Sequence, residues 1–160
     1  MPGVPAVPAP SLIDGVRRVL GTGGALASVL DGFEPRASQQ QMAEAVARVV
    51  SDGGVLLAEA GTGTGKTLAY LVPAILSGRK VLVSTGTRNL QQQLIDNDVP
   101  LLQQALGPFR ATCMKGRGNY LCLHRFEQAL HDERPRDDDA RVAMTLIEHW
   151  APRTQTGDRA

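Results

Sequence analysis

Ala60-Gly61-Thr62-Gly63-Thr64-Gly65-Lys66-Thr67 is the stretch of sequence that decides the fold. Phosphate-binding loops usually follow the pattern glycine, four residues, Gly-Lys-Ser/Thr, and here alanine replaces the first glycine. Glycines let backbone N–H groups approach a phosphate without a Cβ atom in the way, and the following helix N-terminus adds a favourable dipole. The stretch therefore predicts a triphosphate site, and we expect all eight residues to contact ATP.

Two side chains of this loop are expected to carry the chemistry. The Lys66 ammonium would lie between the β- and γ-phosphates, and the Thr67 hydroxyl would ligate Mg²⁺. These two residues are the catalytic candidates, and ATP and Mg²⁺ are the expected cofactors.

The segments on either side of the loop indicate the fold class. An apolar run at 55–58 fits a buried parallel strand, and 65–76 is apolar nearly all round, as in a buried helix with Pro73 bending it or marking its last turn. A second buried strand is predicted at 80–84 and a helix over 87–106, interrupted at Pro100. This βαβα order predicts an α/β parallel sheet with flanking helices and right-handed crossovers.

Upstream of the loop, two helices are expected. Ser11 could cap a helix over Leu12 to Leu20, and Ser38 stands before an amphipathic helix over 39–50. Residues 1–10 are proline-rich and predict an extended, mobile tail.

Downstream, the sequence changes character. Residues after Leu121 are rich in charge, and one further helix is predicted over 141–150. Cys113 falls in a predicted strand, and the three histidines (His124, His131 and His149) show no metal-ligand spacing. Two strands are too few for a finished α/β domain, so the chain looks incomplete.

Composition restricts the class of protein further. Hydrophobic residues make up 42% of the 160 residues and charged residues 21%, as in a globular protein, and the net charge of +1 neither supports nor excludes a nucleic-acid partner. No apolar run reaches the roughly 20 residues that span a bilayer. Two cysteines suit a reducing compartment, so we expect a cytoplasmic protein without membrane contact.

Four stretches resemble, in the same order, motifs of the XPD/DinG group of superfamily 2 helicases, most closely the YoaA-like branch. They are Phe33-Glu34-Pro35-Arg36-Ala37-Ser38-Gln39-Gln40-Gln41-Met42, the loop with its preceding Glu59, Ser84-Thr85-Gly86-Thr87-Arg88-Asn89-Leu90-Gln91-Gln92-Gln93-Leu94, and Lys115-Gly116-Arg117-Gly118-Asn119-Tyr120-Leu121-Cys122. Alanine at the first loop position is normal in that family. The resemblance extends from about Gly23 to Asp158 and indicates an N-terminal portion of such a helicase.

This resemblance implies a RecA-like P-loop NTPase domain over 11–114 and the beginning of an iron–sulfur domain over 115–160. It also implies an ATP-dependent DNA helicase that moves 5′ to 3′ on single-stranded DNA, carries a [4Fe–4S] cluster and acts in DNA repair. Protein partners are not predictable from the sequence.

The resemblance also suggests roles for individual residues. Gln39 with Arg36 would read the adenine edge, although a helix-cap glutamine beside a surface arginine is the simpler interpretation. Thr85 and Thr87 would contact the DNA backbone, or merely form a strand-to-helix turn.

The remaining two candidates lie downstream. Arg117 would contact DNA or form a salt bridge, and Cys122 would be the first cluster ligand or a small buried residue.

Some catalytic groups of the family are missing from these 160 residues. The sequence contains no Asp-Glu-x-His box, and only one of four cluster cysteines has a match. We therefore expect the chain alone to bind ATP weakly and not to turn it over efficiently.

Two other functions remain open at this point. One is a small P-loop kinase, which would need a basic lid and an acceptor-binding segment, and we find neither. The other is a free-standing ATP- or DNA-binding module without turnover, which would still lose nucleotide binding on Lys66→Ala.

Overall fold

The computed structural model describes residues 11–132 and 137–159, so the predicted tail at 1–10 lies outside the described residues. The chain divides into two compact units, Met1–Thr112 and Cys113–Ala160.

The first unit opens with two helices that pack against the phosphate-loop helix. Helix α1 spans Leu12–Leu20, and Ser11 caps it as predicted, with its side chain accepting from the Asp14 N–H in a capping box. Helix α2 spans Ala37–Asp52. It begins before the predicted Ser38 cap, with Arg36 at the N-cap position and no side-chain cap.

Helix α3, Lys66–Leu76, follows the glycine-rich loop and is the most buried helix of the unit. Pro73 lies in its last turn, one of the two predicted alternatives, where its missing N–H removes one backbone hydrogen bond close to the helix end. Helices α1, α2 and α3 pack on one another around a single core. Its members are Val16, Val19, Leu20, Leu26, Ala43, Ala47, Ala69, Leu71, Val72, Leu94 and Leu102.

The predicted strands do not form in the described residues, which contain no β-strand. Segments 55–58 and 80–84 are irregular, and Val55, Leu57 and Leu82 are 87%, 92% and 95% exposed. A parallel strand pairs its backbone N–H and C=O groups only with neighbouring strands. Without such partners, an apolar segment gains neither hydrogen bonds nor a face to pack against. The prediction of a parallel sheet built from 55–58 and 80–84 is therefore wrong for the residues that the structure describes.

The long predicted helix over 87–106 is continuous but changes its winding. Helix α4 spans Arg88–Gln93, a π-helical turn spans Leu94–Asp98, and helix α5 spans Val99–Leu106. The Val99 N–H donates to the Leu94 carbonyl. Because Pro100 has no N–H and its ring crowds the carbonyl four residues earlier, the wider turn falls just before the proline.

The second unit joins its two ends through a short antiparallel contact. A single bridge pairs Tyr120 with Asp158, and the Leu121 N–H donates to the Gly157 carbonyl at 2.7 Å. Helix α6, Leu123–Leu130, and helix α7, Asp138–Trp150, carry no buried residues. Helix α7 starts earlier than the predicted residue 141. On its apolar face Val142 and Leu146 are exposed, whereas Ile147 and Trp150 are half-buried.

No helix in the described ranges 11–132 and 137–159 is long and apolar enough to cross a membrane.

Candidate phosphate-binding site

The glycine-rich loop has the backbone shape that its sequence predicts. Gly63 and Gly65 have φ angles of 75° and 77°, in the left-handed region that glycine adopts without strain. Gly65 forms the N-cap of α3, so free backbone N–H groups of the first helical turn face the loop. A loop of this shape before a buried helix is a suitable anion site.

Lys66 lies over its own loop. Its Nζ donates to the Ala60 carbonyl at 2.7 Å and to the Gly61 carbonyl at 2.5 Å. These neutral acceptors hold the ammonium where it faces the loop interior. Phosphate oxygens are charged acceptors and form stronger hydrogen bonds with an ammonium than carbonyls do. Lys66 is therefore placed to exchange carbonyl partners for phosphate partners.

The two residues predicted to read adenine also reach the loop. Arg36 Nη1 donates to the Gly63 carbonyl, and Gln39 Nε2 donates to the Gly65 carbonyl at 3.0 Å. Gln39 is only 4% exposed, which is unusual for a side-chain amide. The structure thus brings Arg36, Gln39 and Lys66 together on one loop, whereas their contacts with a nucleotide stay predictions.

Tyr70 lies one helical turn beyond Thr67 on α3, so the two side chains share a face of the helix. Burial raises the pKa of Tyr70, the nearby Thr67 hydroxyl lowers it, and the negative charge of Asp98 raises it. Burial also raises the pKa of Asp98, whose Oδ2 is buried and accepts no hydrogen bond from a described residue.

Neither Tyr70 nor Asp98 was among the predicted site residues. Tyr70 could have been found from its spacing, because residues three apart on a helix share a face and Thr67 was already a candidate. Asp98 could not have been found from the sequence, because its half-buried position at the end of the π-helical turn depends on how that turn is wound.

Thr85 and Thr87 form the start of α4. Thr87 accepts from the Leu90 N–H at 3.3 Å as the helix N-cap, and the Thr85 hydroxyl donates to the Thr87 carbonyl at 3.2 Å. The two threonines thus form a turn into α4, which follows an irregular segment and not the predicted strand. Their predicted contact with DNA stays a prediction.

The second unit contains the remaining predicted site residues, Arg117 and Cys122. Arg117 is exposed in a 3₁₀ turn, and Cys122 is the exposed N-cap residue of α6. Cys113 is half-buried and lies outside any strand, contrary to prediction. His124, His131 and His149 are exposed, as predicted.

Near these residues, an ion pair was missed by the sequence analysis. Lys115 Nζ lies 2.6 Å from Asp158 Oδ2, with the lysine side chain 4% exposed, and hydrogen bonding to this carboxylate raises the pKa of Lys115. The Tyr120 hydroxyl accepts from the Lys115 N–H at 2.8 Å. The pair closes the unit by joining its first residues to its last.

A [4Fe–4S] cluster does not fit the residues present. The sequence contains two cysteines, and a cluster of this type takes four thiolates. Within 11–132 and 137–159 no group of three or more His, Cys, Asp or Glu side chains is placed to hold a metal ion.

The residues present fit a Mg²⁺ ion that binds together with ATP better than they fit an iron–sulfur cluster. Such an ion keeps several waters and takes one or two protein ligands besides the phosphates. A single hydroxyl at Thr67, at the start of α3, meets that need.

Comparisons with known proteins agree on one family. The sequence model of DEAD/DEAH box helicases matches residues 36–120. An ATP-dependent DNA helicase YoaA of Haemophilus influenzae is 40% identical over 144 residues, which cover 89% of this chain and 22% of that protein. An ATP-dependent helicase DinG of Mycobacterium tuberculosis is 42% identical over 158 residues, covering 84% of this chain and 24% of that protein.

A third relative has a different name. A 3'-5' exonuclease DinG of Bacillus subtilis is 39% identical over 143 residues, covering 85% of this chain and 15% of that protein. The chain thus spans less than a quarter of the length of each of these relatives. The predicted resemblance to DinG and YoaA helicases is confirmed.

Proposed function

This chain belongs to the DEAD/DEAH box helicase family, and from that premise we propose that it forms the ATP-binding part of a DNA helicase. The observation that supports the proposal most is the loop at 60–67, on which Arg36, Gln39 and Lys66 converge. These are the residues expected to contact adenine and the phosphates, and they come from two separate motifs: Arg36 and Gln39 from the stretch 33–42, and Lys66 from the loop.

Nucleotide binding would proceed by exchange of partners within the loop. The triphosphate would replace the carbonyls of Ala60 and Gly61 around Lys66, and backbone N–H groups at the start of α3 would bind its oxygens. Thr67 would ligate the Mg²⁺ that accompanies ATP. The Gln39 amide, freed from the Gly65 carbonyl, could donate to and accept from adenine.

Single-stranded DNA is the proposed polymer partner, with movement in the 5′-to-3′ direction. Thr85, Thr87 and Arg117 are the proposed contacts, through hydroxyls and a guanidinium that bind phosphate without reading sequence. Thr87 uses its hydroxyl oxygen as an acceptor in the α4 cap, which leaves its proton free for a phosphate.

These 160 residues cannot hold an iron–sulfur cluster by themselves, and for Cys122 we propose the role of one of its four thiolate ligands in the family, the one that has a match in this sequence. Its exposure at the N-cap of α6 leaves the sulfur accessible. A cytoplasmic location and a role in DNA repair are proposed on the same family grounds.

We propose that the 160 residues by themselves bind ATP without efficient turnover. Phosphoryl transfer needs an acidic group to hold the metal and another to activate water, and the sequence contains no Asp-Glu-x-His box to supply them. A binding module is therefore the operational description of the chain taken alone.

The test measures ATP hydrolysis and ATP binding by the purified 160-residue chain, with and without single-stranded DNA. We expect saturable ATP binding and no hydrolysis above background. Vigorous DNA-stimulated hydrolysis would contradict the absence of turnover, and a lack of any ATP binding would contradict the site itself. Transfer of phosphate to a small acceptor would instead support a kinase.

A further inference from the structure

We propose that Arg159 is a second phosphate contact for single-stranded DNA, beside Arg117 on the 3₁₀ turn Arg117–Asn119. The inference rests on the proposed DNA partner and deepens it, because no motif in the sequence assigns a role to Arg159. Every contact that supports it lies within the second unit, Cys113–Ala160.

Arg159 is tied to the turn that carries Arg117. Its backbone N–H donates to the Asn119 carbonyl at 2.9 Å, and its Nη2 donates to the Gly118 carbonyl at 2.7 Å. One residue thus binds the turn through both its backbone and its side chain. The guanidinium of Arg159 therefore lies against the residue that directly follows Arg117, although that residue is 41 positions earlier in the sequence.

Both guanidinium groups keep hydrogen-bond donors for a ligand. Arg117 and Arg159 are exposed, and the Arg117 side chain has no hydrogen bond or ion pair with a residue in 11–132 or 137–159. Arg159 uses one amino group for the Gly118 carbonyl, which leaves the rest of its planar fork of donors for another acceptor. Such a fork matches the oxygens of a phosphate better than a lysine ammonium does.

The acidic residue nearest in sequence does not neutralise these charges. Asp158 precedes Arg159, but its Oδ2 lies 2.6 Å from Nζ of the buried Lys115. Segments 115–121 and 157–159 contain only this ion pair and the two arginines as charged residues. Because the pair cancels one charge of each sign, both guanidinium charges remain to attract an anion.

The pairing of the two segments holds Arg159 in place. Tyr120 and Asp158 form an antiparallel bridge, and the ion pair with Lys115 adds a side-chain link at the same residue. A slip of one residue in this pairing would move Arg159 to the other face. Arg159 is therefore positioned before any ligand binds, which reduces the entropy cost of binding.

The turn is also accessible to an extended polymer. Gly116 and Gly118 flank Arg117, both are exposed, and a Cβ atom at Gly118 would meet nothing within 4 Å. Two guanidinium groups on an open turn can bind backbone phosphates without reading a base, as a DNA strand of any sequence requires. The proposed DNA partner favours a phosphodiester over an acidic peptide of the same charge.

The experiment measures the affinity of the full 160-residue chain for a fluorescein-labelled oligothymidine by anisotropy, at several salt concentrations. Each phosphate contact with single-stranded DNA contributes about 0.7 to the slope of log affinity against log salt. Arg159→Gln should therefore reduce the slope by about 0.7 and weaken binding about 3- to 10-fold at low salt. Arg159→Lys keeps the charge and should retain the slope, with a smaller loss of affinity because only the fork is lost.

Two further comparisons separate a direct contact from mere support of Arg117. Combining Arg117→Gln with Arg159→Gln should lower the slope by about 1.4, the sum of the two single losses. Arg153→Gln is the matched control, because Arg153 is an exposed arginine of the same unit outside the turn. It should keep both the affinity and the slope. Far-UV circular dichroism checks that each variant keeps its fold.

Several results would overturn the inference. An unchanged slope in Arg159→Gln would do so, as would an equal loss in Arg153→Gln, or a double variant that binds like Arg117→Gln alone. Polyglutamate that competes as well as unlabelled oligothymidine would assign the turn to an acidic protein instead. Inorganic phosphate that competes equally well would assign it to a small anion.

The outcome for the unaltered chain separates this inference from the proposed function. If the unaltered chain binds oligothymidine and Arg159→Gln binds it equally well at every salt concentration, the inference fails while the proposed DNA partner stands. If the unaltered chain binds ATP but no oligothymidine, the proposed DNA partner fails and the inference with it.

Discussion

The two sides of the phosphate loop differ sharply in burial. After the loop, Ala69 and Val72 of α3 are fully buried and Leu71 is 9% exposed. Before the loop, Val55 and Leu57 are 87% and 92% exposed, although they are equally apolar. A helix forms its backbone hydrogen bonds within itself and needs only side-chain contacts, which α1 and α2 supply. A strand depends on neighbouring strands for both.

The difference shows which part of the site is secured by local structure. The loop, its N-cap glycine and α3 are held by one helical core together with Gln39. The segments at 55–58 and 80–84 present apolar side chains to solvent in the described part of the chain. Phosphate binding should therefore depend on the helical side of the loop far more than on the segment that precedes it.

The largest expected effect compares two leucines across the loop. Leu71→Ala should lower the free energy of unfolding by about 2 to 5 kcal/mol, because it leaves a cavity in the core. Leu57→Ala should change it by less than about 0.5 kcal/mol, since the side chain is exposed. Urea unfolding followed by far-UV circular dichroism measures both. A comparable loss in Leu57→Ala would show that this segment is packed in solution and would remove the contrast.

A smaller effect is expected at the loop glycine that contacts α2. Gly65 and Gly78 have φ angles of 77° and 64°, so alanine at either should cost about 1 to 2 kcal/mol in backbone strain. A Cβ atom at Gly78 meets open space, whereas one at Gly65 would lie 2.1 Å from Gln39 Nε2. Gly65→Ala should therefore destabilise the chain more than Gly78→Ala does.

The same unfolding measurement can isolate the clash at Gly65. Adding Gln39→Ala to Gly65→Ala should remove the excess cost and leave only the strain, a coupling that a double-mutant cycle quantifies. Equal losses in Gly65→Ala and Gly78→Ala would contradict the close contact between Gln39 and the loop.

The smallest effect concerns the half-buried carboxyl of Asp98 and depends on pH. Burial raises its pKa above the ordinary value of 3.8, so the folded state binds the proton more tightly than the unfolded state. The free energy of unfolding should thus fall as pH rises from 3.8 through the raised pKa. At neutral pH, Asp98→Asn should be more stable than the unaltered chain, because the substitution removes the charge that burial disfavours.

That advantage should disappear in acid, where Asp98 is protonated in both states. Asp96→Asn, an exposed carboxylate of the same turn, serves as the control and should gain nothing at either pH. Urea titrations across the acid range test the sign, and a destabilised Asp98→Asn at neutral pH would show that the charge has a partner in solution.

Much of the helical part of the fold could be predicted from local patterns. Ser11 with the apolar repeat at 12–20 predicted α1, and glycines at 63 and 65 predicted the loop. These features depend on residues close in sequence. Local patterns could not decide whether strands form at 55–58 and 80–84, because a strand needs neighbouring strands that come from distant parts of the sequence.

The residues of the candidate site likewise divide into those that local sequence motifs predict and those whose position depends on the folded structure. Motif positions predicted Arg36, Gln39 and Lys66, which the structure places on one loop. Asp98 was not predictable, since its inward position arises from the π-helical turn before Pro100. The Lys115–Asp158 pair was also missed, because it joins residues more than forty positions apart.

Calorimetric titration of Mg²⁺–ATP into the unaltered chain, Lys66→Ala and Lys80→Ala tests the central claim most directly. Lys66 faces the loop carbonyls, whereas Lys80 is an exposed lysine beyond α3. Loss of a charged hydrogen-bond donor costs about 1.5 to 3 kcal/mol, so Lys66→Ala should weaken binding by at least about 10-fold while Lys80→Ala binds normally. Equal binding by all three proteins would contradict the assignment of residues 60–67 as the phosphate site.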